Sequence, residues 1–387
     1  MPCSLARDLQ DDESTQSSTF MGGMNYHIDI NFEDGTIWLA RIRRRDATTP
    51  PLDLQRYILR SEIAILQFLG KTNVPVPKIY DYNLDDNNPV GVDYVLYEKL
   101  PGKTGCWPDA TTEKKQKLMR QLADIYIELQ KYPSDGMGSL ESPGTYKIGP
   151  FAKETHTDYV DFRMHPIGPF IDTKTFLRAS IEQNIDRIQR GAMYSSRPID
   201  GHFIHRFLVD TFTTHISLHQ VYEYLNDGHC YLRHADDKGD HILVDDDYNI
   251  TDILDWEWAY TDQKPWAFTS PMMLLDVNEF YIGKLEPSAD EEHFTQCFEE
   301  NGRSDLAQIV RKGRMLHFFR FCNGHDLTME FEGFEALFYG LGRALGVEND
   351  KDGNAENGFG WDEWRKTALR EYKDDDLLKE FLAREYP

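Results

Sequence analysis

The sequence predicts an α+β protein with two lobes: a small β-sheet lobe that carries one main helix and a larger, mostly helical lobe. A chain of 387 residues is long enough for two such lobes with a large core. Its N-terminal part alternates like strands around one helical segment, and its remainder recurs mainly at helical spacing. We therefore expect a flexible N-terminus over residues 1–19, a first lobe over residues 20–102 and a second lobe over residues 103–387.

The first lobe is predicted to begin with a β-hairpin over residues 24–45, where apolar and polar side chains alternate on both sides of a turn at Asp34 and Gly35. A helix follows over residues 52–70, with apolar side chains three or four positions apart and Gly70 at its end. The segments VPVPKIYDYN and VDYVLYEKLPG predict two more strands, because each proline favours an extended residue before it. These elements form one small sheet with one helix.

The second lobe is predicted to be mostly helical. The segment over residues 111–132 is strongly amphipathic, with Thr111 or Thr112 as its N-cap. Further helices are expected over residues 174–192 and 303–345 and in the segment HFIHRFLVDTFTTHISLHQVYEYL. Residues 134–170, rich in glycine, proline and aromatic residues, are expected to form an irregular insertion, and residues 348–358 an exposed loop.

Composition and charge exclude several classes of protein. The net charge of −24 argues against general nucleic-acid binding, which needs a basic surface, and it favours a cationic ligand. The five cysteines form no CxxC pair, so neither a zinc site nor a disulfide framework is indicated. No apolar run approaches the roughly 20 residues of a membrane helix, and the N-terminus lacks the apolar core of a signal peptide. We expect a soluble, cytoplasmic protein without nucleic-acid or membrane partners; the sequence does not specify its oligomeric state.

A dense group of acidic residues lies in YLRHADDKGDHILVDDDYNITDILDWEWAY, residues 231–260. Its two apolar runs, HILV and ITDIL, predict a hairpin closed by a four-residue loop at 246–249. This register sets Asp245 opposite Ile250, His241 opposite Leu254 and Asp240 opposite Asp255. The acids at 245–247 then belong to an ordinary solvated turn.

Two other acids of this segment are better candidates for chemistry. Asp236 precedes the hairpin and Asp255 follows it, and both flank apolar strands where an unpaired charge would be costly. One carboxylate could accept a proton from a hydroxyl group while the other binds Mg²⁺. The segment therefore predicts a general base and a metal ligand close together.

The same residues carry a resemblance to a known family. HADDKGDH, followed by ILVDDDYNITDILDWEWA, resembles the catalytic segment of the aminoglycoside phosphotransferase family, which has the protein-kinase-like fold. The family pattern is His-Gly-Asp, four further residues, an Asn, and a hairpin that ends in Ile-Asp-Trp-Glu. The order of the remaining elements also agrees, so the resemblance covers roughly residues 20–345. It implies a bilobal kinase-like fold.

The resemblance implies roles for the residues of the catalytic segment. Asp236 corresponds to the catalytic base, Asp255 to the metal ligand, and His234 to the histidine that supports the loop. Ala235 stands where the family has glycine. ATP and Mg²⁺ are the implied cofactors, with Mn²⁺ as an alternative ion.

Further roles fall in the first lobe. By the resemblance, Arg41 lies where the family has the strand Lys or Arg that contacts ATP phosphates, and Arg43 is the second candidate. Glu62 corresponds to the helix glutamate that pairs with this cation. Gly22 and Gly23 would let backbone N–H groups of the phosphate-covering loop approach phosphate oxygens.

The hinge and the departures from the family complete the expected site. Backbone groups around Glu98 and Leu100 would meet adenine. His241 stands where the family has the second metal-binding Asn, and imidazole prefers softer metals than Mg²⁺. Asp240 could supply the missing oxygen instead, and Lys238 is a further cation compatible with a phosphate.

The resulting functional hypothesis is an ATP-dependent phosphotransferase that moves the γ-phosphate to a hydroxyl of a small molecule, which the acidic charge would allow to be cationic. The substrate itself is not identified by family resemblance. Two alternatives stay open at this point. One is a nucleotide-binding pseudokinase, or interaction module, suggested by His241. The other is an enzyme that uses ATP to activate a carboxylate.

Overall fold

The structure is a computed structural model that describes residues 19–21, 24–45, 49–85, 87–105, 107, 110–214, 224–324, 331–346 and 361–385. Gly22 and Gly23, the expected flexible N-terminus up to residue 18 and the expected loop at 348–358 lie outside the described residues. The described residues form two compact units. The first contains those up to Lys131 together with Gly138–Pro166 and His234–Tyr260; the second contains Tyr132–Met137, Ile167–Arg233 and those from Thr261 onward. The expected lobe boundary near residue 102 stays a prediction.

The first unit is built around an antiparallel sheet in the order β1-β2-β3-β5-β4. Its strands are β1 (Thr19–Met21), β2 (Asn25–Asn31), β3 (Ile37–Arg43), β4 (Ile79–Asn83) and β5 (Tyr94–Glu98). The predicted hairpin is confirmed: β2 and β3 pair from Asn25↔Arg43 to Asn31↔Ile37, around a turn where Gly35 has a φ of 84°. A positive φ is readily adopted by glycine, which explains the residue at this turn.

Two long helices belong to the same unit, α1 (Leu52–Leu69) and α2 (Thr112–Leu129). Thr111 is the N-cap of α2, since its side chain accepts a hydrogen bond from the backbone N–H of Lys114. Helix α1 ends at the predicted place, with Gly70 as its C-cap, although Gly70 keeps a right-handed conformation. Both predicted helices are therefore present, with their ends within a few residues of the expected positions.

The expected irregular insertion contains two short hairpins. They consist of β7 (Ser139–Leu140) with β8 (Ile148–Gly149), and β9 (Thr157–Val160) with β10 (Arg163–Pro166). The chain around these hairpins packs on α1, because Leu54, Tyr57 and Ile58 form a buried cluster with Ala152. The Tyr57 hydroxyl also donates a hydrogen bond to the Pro150 carbonyl at 2.7 Å. The insertion thus fixes the helix that carries Glu62.

The hairpin predicted over residues 241–255 forms a three-stranded sheet in the order β13-β12-β6, with β6 (Lys103–Thr104), β12 (Ile242–Val244) and β13 (Ile250–Ile253). The predicted register holds for Ile242↔Ile253 and Leu243↔Asp252, and it shifts by one residue at Val244, which pairs with Ile250. The predicted four-residue loop is wrong as a result, and the predicted pairing of Asp240 with Asp255 is not part of the ladder.

The loop of this hairpin is one residue shorter than expected. The Asp245 N–H donates to the Asn249 carbonyl, and Tyr248 takes a φ of 62° after the turn, so Asp245 faces Asn249 instead of Ile250. A turn followed by a left-handed residue closes a three-residue hairpin loop, which the sequence alone did not distinguish from a four-residue one. At the other end the ladder reaches His241, whose carbonyl accepts from the Leu254 N–H, and it stops before Asp240 and Asp255.

The second unit is mainly helical, as predicted. Its strands β11 (Cys230–Arg233) and β14 (Tyr260–Gln263) pair; its helices are α3 (Thr173–Gln189), α4 (Pro198–Thr214), α5 (Lys264–Ala267), α6 (Val277–Tyr281), α7 (Ala289–Glu300), α8 (Ser304–Lys312), α9 (Arg314–Gly324), α10 (Phe331–Ala344), α11 (Trp361–Glu371) and α12 (Asp376–Glu385). The helical region expected over 303–345 contains α8, α9 and α10, and α8 and α9 are separated at Gly313. Among the described residues, no helix combines the length and apolar character needed to cross a membrane. The α+β class is confirmed.

Candidate functional site

The first unit brings Arg41 and Glu62 together. Arg41 lies on β3 and Glu62 in the third turn of α1, and Nη1 of Arg41 lies 2.7 and 2.8 Å from the two carboxylate oxygens of Glu62. Both side chains are buried, with 7% of Arg41 and 2% of Glu62 exposed. The pair that the sequence suggested is therefore formed, and it links the sheet to the helix.

A second carboxylate, which the sequence analysis did not single out, completes this cluster. Glu257, in the segment that follows the hairpin, accepts from Nη2 of Arg41 at 2.6 Å and from Nη1 of Arg43 at 2.5 Å. It is 5% exposed. The quoted family pattern already ends in Trp-Glu, so the signal for Glu257 was present in the sequence although no role was assigned to it.

The guanidinium of Arg41 has no donor left over. Nη1 is taken by Glu62 and Nη2 by Glu257, and the amide oxygen of Asn25 faces Nε at 3.0 Å and Nη2 at 3.1 Å when the amide is oriented to satisfy both groups. An arginine side chain carries five N–H donors, and all five are then directed at acceptors of the protein itself. Arg41 is thus held as a structural cation in the described arrangement.

Arg43 differs from its neighbour on the strand. Its Nη1 contacts Glu257, whereas its Nη2 is buried and meets no hydrogen-bond acceptor among the described residues. A buried donor without an acceptor costs about 1–3 kcal/mol, so an acceptor supplied by a ligand would be favourable there.

The four side chains of this cluster balance in formal charge, with two arginines and two glutamates. Burial raises the pKa of Glu62 above its ordinary value; Arg41 opposes this rise and Glu257 adds to it. Two carboxylates can share this buried place only because two guanidinium groups lie between and beside them. Loss of any one member would leave an uncompensated buried charge.

His234 organises the loop that follows β11. Its Nε2 lies 2.8 Å from the carbonyl oxygen of Leu254, and its Nδ1 lies 3.2 Å from the backbone N–H of Asp236. The first contact requires a proton on Nε2 and the second requires a lone pair on Nδ1, so the ring is neutral with its proton on Nε2. Burial also lowers the pKa of His234. The ring therefore ties the position of Asp236 to the end of the hairpin.

Three acidic side chains of the predicted site interact electrostatically with Lys238. Its ammonium lies 3.1 Å from the Asp236 carboxylate. Partial burial opposes its charge, but the hydrogen bond that it donates to Asp236 and the charges of Asp236, Asp240 and Asp255 together raise the pKa of Lys238. Asp236 is partly buried, whereas Asp240 and Asp255 are exposed. The three acids that the sequence proposed for base and metal binding thus all act on one lysine.

Asp255 has a backbone conformation that most residues avoid. Its φ is 53°, in the left-handed region, which is costly for a residue with a Cβ atom. The conformation directs the chain out of the ladder directly after β13. Its charge acts on Arg41 and on His27 of β2 as well as on Lys238.

His241 is buried and stacked on His234, with ring centroids 4.2 Å apart. Its Nδ1 accepts a hydrogen bond from the N–H of Gly239 at 3.3 Å, and Gly239 has a φ of 100° that favours glycine at this point of the loop. Burial, followed by the charges of His234 and Lys238, lowers the pKa of His241 to about 2. The ring is therefore neutral, and because Nδ1 is an acceptor, Nε2 carries the proton.

The two residues expected at the hinge lie at and just after the end of β5, an inner strand of the main sheet. Glu98 ends β5, where its N–H donates to the Lys78 carbonyl at 2.8 Å, and Leu100 follows two positions later. Both side chains are half-buried. Between them, Lys99 binds the two carboxylate oxygens of Asp29 on β2 at 2.6 and 2.7 Å, which fixes the start of the hinge against the sheet.

A metal site made by protein side chains alone is not present in the part of the chain that the structure describes. There, no three or more His, Cys, Asp or Glu side chains are grouped in a way that could hold a metal ion. Asp255 and Asp240 offer exposed carboxylate oxygens, the donor type that Mg²⁺ prefers. Any Mg²⁺ bound here would need further oxygen ligands from a substrate or water.

Comparison with curated proteins gives partial matches, and no family model matches the chain. A protein of Aspergillus fumigatus described as a subtelomeric hrmA-associated cluster protein is 30% identical over 122 residues, which are 31% of this chain and 23% of that protein. The mitochondrial altered inheritance of mitochondria protein 9 of Zygosaccharomyces rouxii is 31% identical over 117 residues, 26% of this chain and 19% of that protein. The chain thus matches less than a quarter of the length of these relatives.

Solved structures resemble the chain over most of its length. The ADP-bound aminoglycoside phosphotransferase APH(2'')-Ib has a TM-score of 0.51 at 11% identity and covers 89% of this chain and 99% of its own. A Thermobifida fusca protein described as a candidate fructosamine-3-kinase has a TM-score of 0.50 at 14% identity, with the same coverage of both chains. These likenesses confirm the kinase-like fold and the resemblance to phosphotransferases of that fold.

Proposed function

We propose that this protein is a phosphotransferase that moves the γ-phosphate of a nucleoside triphosphate to a hydroxyl group of a small molecule. One observation carries the proposal. A single compact unit holds the buried Arg41–Glu62 pair and, around Lys238, the carboxylates of Asp236 and Asp255. Phosphoryl transfer requires positioned acids for the acceptor and positive charge for the phosphate, and this set of residues supplies both.

In the proposed reaction, Asp236 orients the acceptor hydroxyl and receives its proton. Asp236 suits this role because His234 fixes its backbone and its carboxylate is only partly buried, so a hydroxyl can reach it. Lys238 lies 3.1 Å away and would interact with the phosphate during transfer. Its positive charge would offset the negative charge that accumulates on the transferred group.

The residues present fit a Mg²⁺ ion held by Asp255, with Asp240 as a second oxygen donor. When bound, the ion would neutralise phosphate charge. His241 is left out of the metal site, because its Nε2 carries the proton and its Nδ1 is already an acceptor for Gly239. His241 instead packs on His234 and helps to hold the loop.

The cation that meets the phosphates is assigned to Arg43. The sequence favoured Arg41 for this role, but its donors are directed at Glu62, Glu257 and Asn25. The buried Nη2 of Arg43 has no acceptor among the described residues, and a phosphate oxygen would supply one. Arg41 then keeps the helix and the Glu257 segment in place.

A nucleotide-binding pseudokinase is the second candidate, and one observation favours it. Glu257 already neutralises both arginines, so the described arrangement is stable without any phosphate. A module that only binds nucleotides, or only switches between two arrangements of Glu257, would need no base. The exposed, strained Asp255 and the ordered Asp236 favour the enzyme over this alternative.

The test is turnover that depends on Asp236. The full chain is incubated with ATP or GTP, Mg²⁺ or Mn²⁺, and a library of small hydroxyl compounds, and product mass is followed for the parent and for Asp236→Asn. We expect a product about 80 Da heavier than its acceptor and a loss of roughly 10²–10⁴-fold in rate for the variant. Asp247→Asn, an exposed loop acid of the same hairpin, is the matched control.

Each outcome separates the candidates. Nucleotide binding without Asp236-dependent turnover on any compound would favour the pseudokinase. Release of free phosphate together with a condensed product would instead indicate carboxylate activation. If no nucleotide binds at all, both the enzyme and the pseudokinase are excluded.

A further inference from the structure

We propose that the nucleotide site selects guanine over adenine nucleotides, and that the carboxylate of Asp252 makes the selection. The inference rests on the proposed function, because it takes the segment 98–100 as the hinge that lies along the nucleobase. It goes beyond that function by naming the base. The supporting features are the position of Asp252, its lack of a partner, and the hydrogen-bonding pattern of the two purines.

Asp252 shares one face of the hairpin with Leu243, its direct partner on β12. Neighbouring positions of a strand alternate between faces, and Ile253 is 3% exposed within the core. Asp252 pairs with Leu243 of β12, and Leu243 pairs in turn with Thr104 of β6, which continues the hinge. The order of the three strands therefore places Asp252 one strand away from Leu243 and two strands away from Thr104, in the chain that leaves the hinge.

The hinge and the hairpin approach each other closely at this place. Thr251, the neighbour of Asp252, directs its hydroxyl to the Pro101 carbonyl at 3.5 Å. A Cβ atom on Gly102 would lie 3.0 Å from that hydroxyl and 3.2 Å from the Val244 carbonyl, so only glycine fits without a shift. The approach brings the carboxylate of Glu98 within electrostatic reach of Asp252.

The carboxylate of Asp252 has no partner among the described residues. Only 7% of the residue is exposed, yet no hydrogen bond or ion pair involves its side chain. The carboxylate of Glu98 is likewise without a hydrogen bond or ion pair there. Burial, with a smaller contribution from Glu98, raises the pKa of Asp252 to about 6. A buried acid of this kind costs free energy unless something supplies donors to it.

Lysines near the hinge do not supply those donors. Lys99 binds Asp29 at 2.6 Å, and Lys103 binds Asp246 at 2.9 Å. Each lysine therefore has another acid as its partner, and the charges that act on Asp252 include no cation. A bound molecule with two adjacent donors would supply what the described side chains do not.

Guanine carries the donors that an ionised carboxylate accepts. Its N1–H and its exocyclic N2–H₂ stand side by side, and a carboxylate can accept from both at once. Adenine presents an N6–H₂ donor beside the unprotonated N1, whose lone pair would face the carboxylate oxygens. A site with a buried polar group rejects the ligand that leaves the group unpaired, so ionised Asp252 favours guanine.

The experiment compares GDP and ADP binding to the full chain by calorimetry at pH 7.5 with Mg²⁺. We expect the parent to bind GDP at least roughly tenfold more tightly than ADP, the scale of one good bidentate contact to a base. Asp252→Asn should abolish or reverse this ratio, because an amide offers one acceptor and one donor and so complements adenine. The control Asp247→Asn, the same change on the exposed loop of this hairpin, should keep the parent ratio.

A second measurement needs no variant. Asp252 becomes protonated as the pH falls through about 6, and its carboxyl group can then donate to adenine N1. The GDP preference of the parent should therefore shrink between pH 7.5 and pH 5. This comparison decides the matter even if Asp252→Asn does not fold.

Three results would overturn the inference. Equal or tighter binding of ADP by the parent at pH 7.5 would overturn it and leave the proposed phosphotransfer intact. An unchanged GDP to ADP ratio in a folded Asp252→Asn protein would do the same. Binding of neither nucleotide by the parent would overturn the proposed function and this inference together.

Discussion

Nη2 of Arg41 lies 2.6 Å from Oε2 of Glu257, across 216 positions of sequence. Through this contact the third strand of the sheet holds the segment that directly follows Asp255. The same carboxylate binds Arg43, so Glu257 forms ion pairs with both arginines that were predicted to contact phosphate. Glu257 therefore competes electrostatically with a phosphate group for this positive charge, while Nη2 of Arg43 stays open to the phosphate.

Glu257→Gln should make the protein less stable and more responsive to nucleotide. The change leaves two buried arginines with Glu62 as the one remaining anion, and we expect unfolding to cost about 2 kcal/mol less. A phosphate could then replace the lost charge, so the rise in Tm on adding nucleotide and Mg²⁺ should exceed that of the parent. Glu363→Gln, on the exposed surface of α11, is the control. A nucleotide response equal to that of the parent would argue against the competition.

Arg41→Ala should mainly lower stability, whereas Arg43→Ala should mainly lower nucleotide affinity. Arg41→Ala leaves Glu62 buried without its partner, so the main effect is a loss of about 3–5 kcal/mol in stability. Arg43→Ala leaves Glu257 with Arg41 as its partner, so its loss of stability should be smaller, and it removes the open donor, so nucleotide affinity should fall roughly tenfold or more. Denaturant unfolding and calorimetric binding measure the two effects separately. If Arg43→Ala binds nucleotide as the parent does, the phosphate contact must be assigned elsewhere.

His241→Asn should preserve or improve activity with Mg²⁺, because an amide oxygen suits the ion better than a protonated ring nitrogen. It should also change the response of stability to acid. The folded protein keeps His241 neutral down to a pKa of about 2, whereas the unfolded chain binds a proton near pH 6.5, so this group contributes stability that is lost as the pH falls below 6.5. Between pH 7.5 and 5 the variant should therefore lose about 2 kcal/mol less than the parent. Complete inactivation would show a specific role for the ring.

Asp252→Asn should stabilise the protein without nucleotide at neutral pH. The pKa of Asp252 is raised from 3.8 to about 6, so between these values the folded protein binds more protons than the unfolded chain and stability falls as the pH rises. Above pH 6 Asp252 is ionised in the folded protein, so the destabilisation caused by its buried charge is complete. Removal of that charge should raise the free energy of unfolding by about 2 kcal/mol. Denaturant unfolding of the parent and the variant at pH 4 and pH 7.5 measures this difference in the free energy of unfolding. A benefit as large at pH 4 as at pH 7.5 would contradict the assignment of an unpaired buried charge.

Local patterns were sufficient for most of the fold. The hairpin over β2 and β3, helix α1 ending at Gly70 and the cap at Thr111 all depend on contacts within a few residues, and these are readable from spacing and turn chemistry. The pairing of Arg41 with Glu62 was also expected, through the order of strand and helix in a resembled family. The loop of the 241–255 hairpin was predicted one residue too long. Tyr248 adopts a left-handed conformation there, and its residue type does not indicate that conformation.

What the sequence determined by itself is the set of chemical groups and their order: an arginine strand, a helix glutamate, and aspartates on either side of a hairpin. Only the tertiary structure decided which of these groups are free to act. Glu62 and Glu257 bind Arg41, the N–H of Gly239 occupies Nδ1 of His241, and Asp252 has no side-chain partner among the described residues. Burial and hydrogen bonding depend on residues far apart in the chain, and a one-dimensional pattern does not contain those distances.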